Sequence, residues 1–172
     1  MSEAIAAPPA GKLPPMRTPA RLSRAIYGNV LSTSLVVAFS EDDDYSSGQV
    51  ALAVFVTGLV FYIAHVYASL LAQLYSAGRR LTWSEAGAEF YAEWPLVQAF
   101  FPPVIVLLLG AVGVLSDGTA ETIAIAGGVV AMVLWGLAIG RRELLSPWGL
   151  VLMALVNAAF GVAIVLLKVL VH

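Results

Sequence analysis

Four polar side chains share one face of an otherwise apolar stretch of this sequence. Tyr62, His65, Ser69 and Gln73 are spaced i, i+3, i+7 and i+11, so in an α-helix they lie along one side. An imidazole near the centre of a bilayer is costly unless it faces protein or water. One interpretation is a proton relay, an ion- or ligand-contacting group or a pH gate at His65. The other is a neutral histidine that donates to a carbonyl or hydroxyl of a neighbouring helix.

An earlier apolar run carries polar residues that could face this stripe. Asn29 and Ser32 share a side of the predicted first helix, so the two helices could line a polar seam. Interhelical hydrogen bonds, worth about 0.6 kcal/mol each in membrane proteins, are the structural alternative for the same side chains. The predicted ligand or ion path comprises Tyr62, His65, Ser69, Gln73, Asn29, Ser32 and Glu93.

Three glutamates recur every four residues after a helix-start signal. Thr82 and Glu85 have the spacing of a capping box, and Glu85, Glu89 and Glu93 then fall on one helical face. With the aromatic residues between them, they predict an amphipathic helix lying at the membrane surface. Such a face is usually solvated, but Glu93 directly precedes an apolar run and could line an entrance near the headgroups.

The sequence excludes several kinds of chemistry. It contains no metalloprotease, serine-hydrolase, P-loop or dinucleotide-binding motif. The absence of cysteine excludes disulfides, thiolate zinc sites and cysteine nucleophiles. A net charge of −2 argues against a nucleic-acid-binding face. We therefore expect neither an enzyme nor a bound cofactor or catalytic metal.

The composition indicates what must surround the helices that position these groups. The chain is 60% hydrophobic and 12% charged, with a mean hydropathy of +0.88. A soluble domain carries about 25% charged residues. The solvent for most of this chain must therefore be lipid, and the predicted fold class is an all-α integral membrane helical bundle.

Apolar runs and their boundaries predict five transmembrane helices plus one interfacial amphipathic helix. Residues 1–24 are predicted to be a Pro-rich cytoplasmic arm without stable helix, and residues 25–172 the transmembrane domain. The predicted runs cover residues 25–40, 49–75, 96–115, 122–140 and 148–170. Pro102-Pro103 should kink the third or delay its start. A cleaved signal peptide is the alternative for residues 25–40, but its basic leader would be unusually long.

The charged loops predict how the chain is oriented in the membrane. The arm, Arg79-Arg80 and Arg141-Arg142 carry most of the cations, whereas the loops at Glu41–Asp44 and 116–121 carry none. These loops alternate along a five-span chain, as the positive-inside rule requires. We predict a multi-pass protein of the cell (inner or plasma) membrane with its N-terminus in the cytoplasm and its C-terminus outside.

Several short segments resemble a group of small actinobacterial integral membrane proteins. They are His65-Val66-Tyr67-Ala68, Glu93-Trp94-Pro95, Pro102-Pro103 and the closing residues 167–172. The resemblance covers most of the chain after residue 20. It implies a membrane location and no settled activity.

Two classes of function follow from these observations. The first is a small oligomeric ion channel or transporter with a polar seam between helices 1 and 2, for which His65 is the titratable group. The second is a non-catalytic accessory or scaffold subunit of a larger membrane complex. The expected partners are the lipid bilayer and either a second copy or a membrane-complex partner. Small residues such as Ala124 and Gly128 allow close helix packing, which is more typical of contacts within a subunit than of a dimer face.

Overall fold

Six α-helices account for all the regular structure in the described part of the chain. The computed structural model describes residues 19–40, 44–77, 82–142 and 146–171. The helices are α1 (Pro19–Phe39), α2 (Ser47–Ala77), α3 (Trp83–Gln98), α4 (Phe101–Ala111), α5 (Asp117–Arg142) and α6 (Pro147–Val171). The predicted arm residues 1–18, together with Glu41–Asp43, Arg79-Arg80 and His172, lie outside the described residues. The predicted all-α class is confirmed.

Helix length and composition support membrane insertion. Three of the described helices, α1, α2 and α5, are long and apolar enough to cross a bilayer, and α3 with α4 makes a fourth if this bent pair is one span. Large apolar side chains cover their outer faces, among them Leu52, Val60 and Leu134. Such a surface is suited to lipid.

The first helix begins at Pro19, earlier than the predicted boundary at Ala25. Proline is tolerated in the first turn of a helix, where its missing N–H has no intrahelical partner to lose. The prediction that residues 1–24 contain no stable helix was therefore wrong for residues 19–24. The earlier start places Arg21 and Arg24 on α1.

The third apolar segment is bent. Its halves, α3 and α4, meet at 50° with a break at Ala99 and Phe100. Pro102 and Pro103 occupy the first turn of α4, so the predicted interruption is confirmed. Because Pro103 has no N–H, it cannot donate to the carbonyl of Ala99. The hydroxyl of Ser32 on α1 lies 3.3 Å from that oxygen and 3.1 Å from the carbonyl oxygen of Asn29 on its own helix, so it contacts both carbonyls.

The core surrounds the bend. Phe100 is fully buried, and its ring fills the space that a side chain at Gly58 of α2 would occupy. Val36, Val54 and Leu107 bring α1, α2 and α4 into the same cluster. The aromatic ring and the glycine opposite it therefore fix α2 against the point where α3 meets α4.

Other close contacts tie the remaining helices to this core. Gly128 of α5 lies directly against Thr33 of α1, and Gly161 of α6 lies against Val129 of α5. Small residues at these two positions therefore serve packing within the chain. At the opposite end of α2, Ser47 donates through its hydroxyl to Asp117 at the start of α5 (2.5 Å).

Candidate functional site

A buried ion pair joins α1 to α3. The Nε of Arg24 donates to Oε1 of Glu93 at 2.8 Å, and the Glu93 side chain is only 3% exposed. Arg24 is 24% exposed, so the guanidinium lies between the carboxylate and the surface of the bundle. The expectation of a solvated glutamate face was therefore wrong at Glu93, because α3 packs this residue against two other helices.

The second oxygen of Glu93 is the unusual feature of this pair. Ser69 of α2 lies 3.4 Å from Oε1, so both neighbours contact the same oxygen. Oε2 is buried and has no hydrogen-bond partner among the described residues. A buried carboxylate oxygen without a donor is uncommon, because most buried polar atoms in folded proteins have a hydrogen-bond partner.

Three members of the predicted stripe on α2 contact α3. Tyr62 donates its hydroxyl to the carbonyl of Phe90 at 2.8 Å, and Ser69 contacts Glu93. Gln73 donates through Nε2 to Glu89 (2.5 Å). Helices α2 and α3 pack against each other, so the polar face of α2 contacts the glutamate face of α3. The amphipathic helix predicted for the membrane surface thus lies against the bundle over its second half.

His65 lies on the same face of α2 but points towards α1. Its ring centroid is 5.4 Å from that of Tyr27, and its Nδ1 is 3.2 Å from the carbonyl oxygen of Phe61 on its own helix. Nδ1 can donate to that oxygen if it carries the proton. His65 is half-buried, so its ring occupies the contact between α1 and α2.

Asn29 and Ser32 contact helices other than α2. Asn29 donates through Nδ2 to the carbonyl of Gly128 on α5 at 3.0 Å. Ser32 contacts the carbonyl of Ala99 after α3. The predicted path residues are therefore divided. Tyr62, Ser69, Gln73 and Glu93 come together between α2 and α3, whereas Asn29 and Ser32 do not join them.

A second arginine accompanies the ion pair. The guanidinium carbon of Arg21 lies 4.7 Å from the centroid of the Tyr91 ring on α3. Arg21 is buried, and no carboxylate among the described residues lies within ion-pair distance of it. Within the described ranges, the contact that holds this cation is the aromatic face of Tyr91.

The arrangement suits ion or proton binding better than metal or nucleophilic chemistry. No group of three or more histidine and acidic side chains within the described ranges is placed to hold a metal ion. What the site does contain is the Glu93 carboxylate, its cation Arg24 and the hydroxyl groups of Tyr62 and Ser69 on α2. These groups can exchange a proton or bind a small ion.

No protein-family model, curated protein or solved structure shows significant similarity to this chain. The resemblance to small actinobacterial membrane proteins therefore stays a prediction. The functional assignment depends on the geometry alone.

Sequence reasoning missed the role of Arg24. The signal was present, because Arg21, Arg24, Gly28 and Ser32 have the same i, i+3, i+7, i+11 spacing as the stripe on α2. It was overlooked because the helix was predicted to begin at Ala25. Extending it to Pro19 gives α1 a polar and small-residue face, which is the face that packs on α3.

Proposed function

We propose that this chain is a small membrane ion channel or transporter whose path runs along the polar contact between α2 and α3. The observation that carries the proposal is Glu93, a carboxylate paired with Arg24 and buried within a bent apolar segment. Ionisable groups inside membrane proteins are costly and commonly mark substrate, ion or proton pathways. Broken helices are also a recurring element of transporter binding sites.

The geometry of the bend supports a position for Glu93 inside the hydrocarbon region. With 16 and 11 residues, α3 and α4 are about 24 Å and 17 Å long. If α4 follows the membrane normal, an α3 inclined by 50° adds about 15 Å of depth, so the pair covers about 32 Å. A hydrocarbon core is about 30 Å thick. Glu93, five residues before Gln98, then lies about 5 Å below the bend.

The proposed topology has five spans, with the bent pair as the third and α6 as the fifth. The N-terminus faces the cytoplasm and the C-terminus faces outward, because the arginine-containing loops alternate with acidic ones. The protein has no cysteine, so single cysteines introduced at Tyr45 and Ser146 can be labelled in intact cells. A membrane-impermeant maleimide should label the Tyr45→Cys variant and spare the Ser146→Cys variant. The opposite pattern would reverse the topology.

An accessory or scaffold role is the second candidate. It is favoured by the number of polar side chains that already have partners within the chain, including Tyr62, Gln73 and Asn29. A protein whose polar groups serve only internal contacts needs no transported species. The two candidates differ in what the purified chain does alone.

Flux through liposomes tests the proposal. Purified protein reconstituted alone should move H⁺ or K⁺ down an imposed gradient, and Glu93→Gln should reduce this flux at least tenfold because the charged group in the path is lost. His65→Ala tests the second titratable group in the same assay. Glu85→Gln is the matched control, since Glu85 lies in the exposed capping box at the start of α3.

The controls separate transport from leakage and misfolding. Each variant must give the same elution profile and the same helical content as the wild type. If the wild-type protein moves neither ion, the channel or transporter proposal fails. Recovery of a stoichiometric membrane partner would then favour the accessory role.

A further inference from the structure

We infer that Glu93 is a proton-binding site and that the proton binds at Oε2. This inference rests on the proposed function, because it names the ion that the path would carry or be coupled to. Oε1 already accepts from Arg24 and faces Ser69, whereas Oε2 is buried without a donor. A proton on Oε2 turns the unpartnered oxygen into a hydroxyl and neutralises the carboxylate, which leaves the charge of Arg24 without its counter-ion.

The surroundings favour a proton over a metal cation. Na⁺ and K⁺ need several oxygen ligands at once, as in a carbonyl-lined site. At Glu93 a single oxygen is free, and the nearby carbonyl of Phe90 already accepts from the hydroxyl of Tyr62. The guanidinium of Arg24 would also repel any second cation next to the carboxylate. A proton needs only one oxygen and no coordination shell.

The groups that face Glu93 can accommodate the change in charge. On α1 Arg24 contacts Glu93, and on α2 Ser69 contacts it and Tyr62 lies close to it. Farther along the same helices, Arg21 lies over the ring of Tyr91, and Tyr27 and His65 contact each other. On α3 itself Glu89 lies one turn away and is held by Gln73. Among these, Arg24 alone forms an ion pair with Glu93.

Proton binding should loosen the contact between α1 and α3. A hydronium ion gives its proton to Oε2 and becomes water, and the pair changes from neutral to singly positive. Arg24 then has lost its counter-ion. It lies near the start of α1 and is partly exposed, so its long side chain can move its charge to the membrane–water interface. Proton uptake at this site would therefore break the ion pair that joins α1 to α3.

Infrared difference spectroscopy tests the inference without measuring transport. Spectra of the protein in liposomes at alkaline and acid pH should show a carbonyl stretching band of a protonated, dehydrated carboxyl at acid pH. Glu93→Gln should remove this band, Glu93→Asp should shift it, and Glu89→Gln should leave it unchanged. Glu93→Asp keeps the carboxyl group, so it remains informative if Glu93→Gln does not fold.

The outcomes distinguish the proton site from the proposed function. A band that persists in folded Glu93→Gln, that keeps its frequency in Glu93→Asp, or that disappears in Glu89→Gln would overturn the inference. Absence of the band at every pH at which the protein stays folded would also overturn it, even if liposomes show ion flux. Presence of the band with no flux would leave Glu93 as a proton site and reject the channel or transporter.

Discussion

Replacing Arg24 by methionine should destabilise the protein by about 3–5 kcal/mol, the cost of removing one partner from a buried ion pair. The substitution preserves much of the aliphatic volume but leaves the carboxylate buried without its cation. The free energy of unfolding, measured by denaturation in mixed detergent micelles, gives the value. Replacing both residues, Arg24→Met with Glu93→Met, should recover most of the loss, because apolar replacement of an entire buried ion pair costs little.

Arg21→Met is the matched control for this experiment. It makes the same chemical change one turn away on α1, where the guanidinium lies over the ring of Tyr91. Loss of this contact should cost about 0.5–2 kcal/mol. Equal losses in Arg24→Met and Arg21→Met, or a double variant no more stable than Arg24→Met, would show that the ion pair does not hold α1 against α3.

Replacing Gly28 by alanine should destabilise the protein by about 3 kcal/mol, the upper part of the range for overpacking a core. The added Cβ would lie 2.5 Å from the carbonyl oxygen of Leu96 and 2.9 Å from the Cβ of Ala99. The first of these atoms belongs to the α3 backbone and cannot rotate away. Helix α1 must therefore separate from α3, which also disturbs the pair one turn away between Arg24 and Glu93. The same denaturation assay measures the loss.

Gly127→Ala provides a control with the opposite sign. Gly127 also lies within a helix, but nothing stands within 4 Å of an added Cβ. Alanine favours helix over glycine by about 1 kcal/mol, so this variant should be as stable as the wild type or more stable. If Gly28→Ala matched Gly127→Ala, the close approach of α1 to α3 would be disproved.

The sequence was sufficient to predict the helical class and most helix positions, because hydrophobic run length and proline placement act locally. The capping box at Thr82 and Glu85 is confirmed, and α6 begins at Pro147, one residue before the predicted run 148–170. Side-chain contacts between different helices were harder to predict from the sequence. Whether Glu93 faces water or Arg24 depends on how α3 tilts and rotates against α1, and no local pattern in α3 determines that.

The stripe on α2 likewise shows that local spacing is predictable from the sequence whereas contacts between helices are not. Its four residues share a face by spacing alone, but the helix opposite that face could not be identified from spacing. The prediction paired the stripe with Asn29 and Ser32. Three of its members instead contact Phe90, Glu89 and Glu93 on α3, and His65 faces Tyr27 on α1. The bend at Ala99 decides this, because it brings the first half of the third segment across α1 and α2.

The long separation along the chain between Arg24 and Glu93, 69 positions, also bears on biosynthesis. With only 11 residues, α4 is too short to enter a bilayer alone, and α3 carries three glutamates. Because a nascent chain emerges from its N-terminus, α1 and α2 are made before α3. They already present Arg24, Ser69 and Gln73 when the glutamates arrive. If the bent pair is one span, its insertion would follow that of α1 and α2, and the cation is made before the carboxylate with which it pairs.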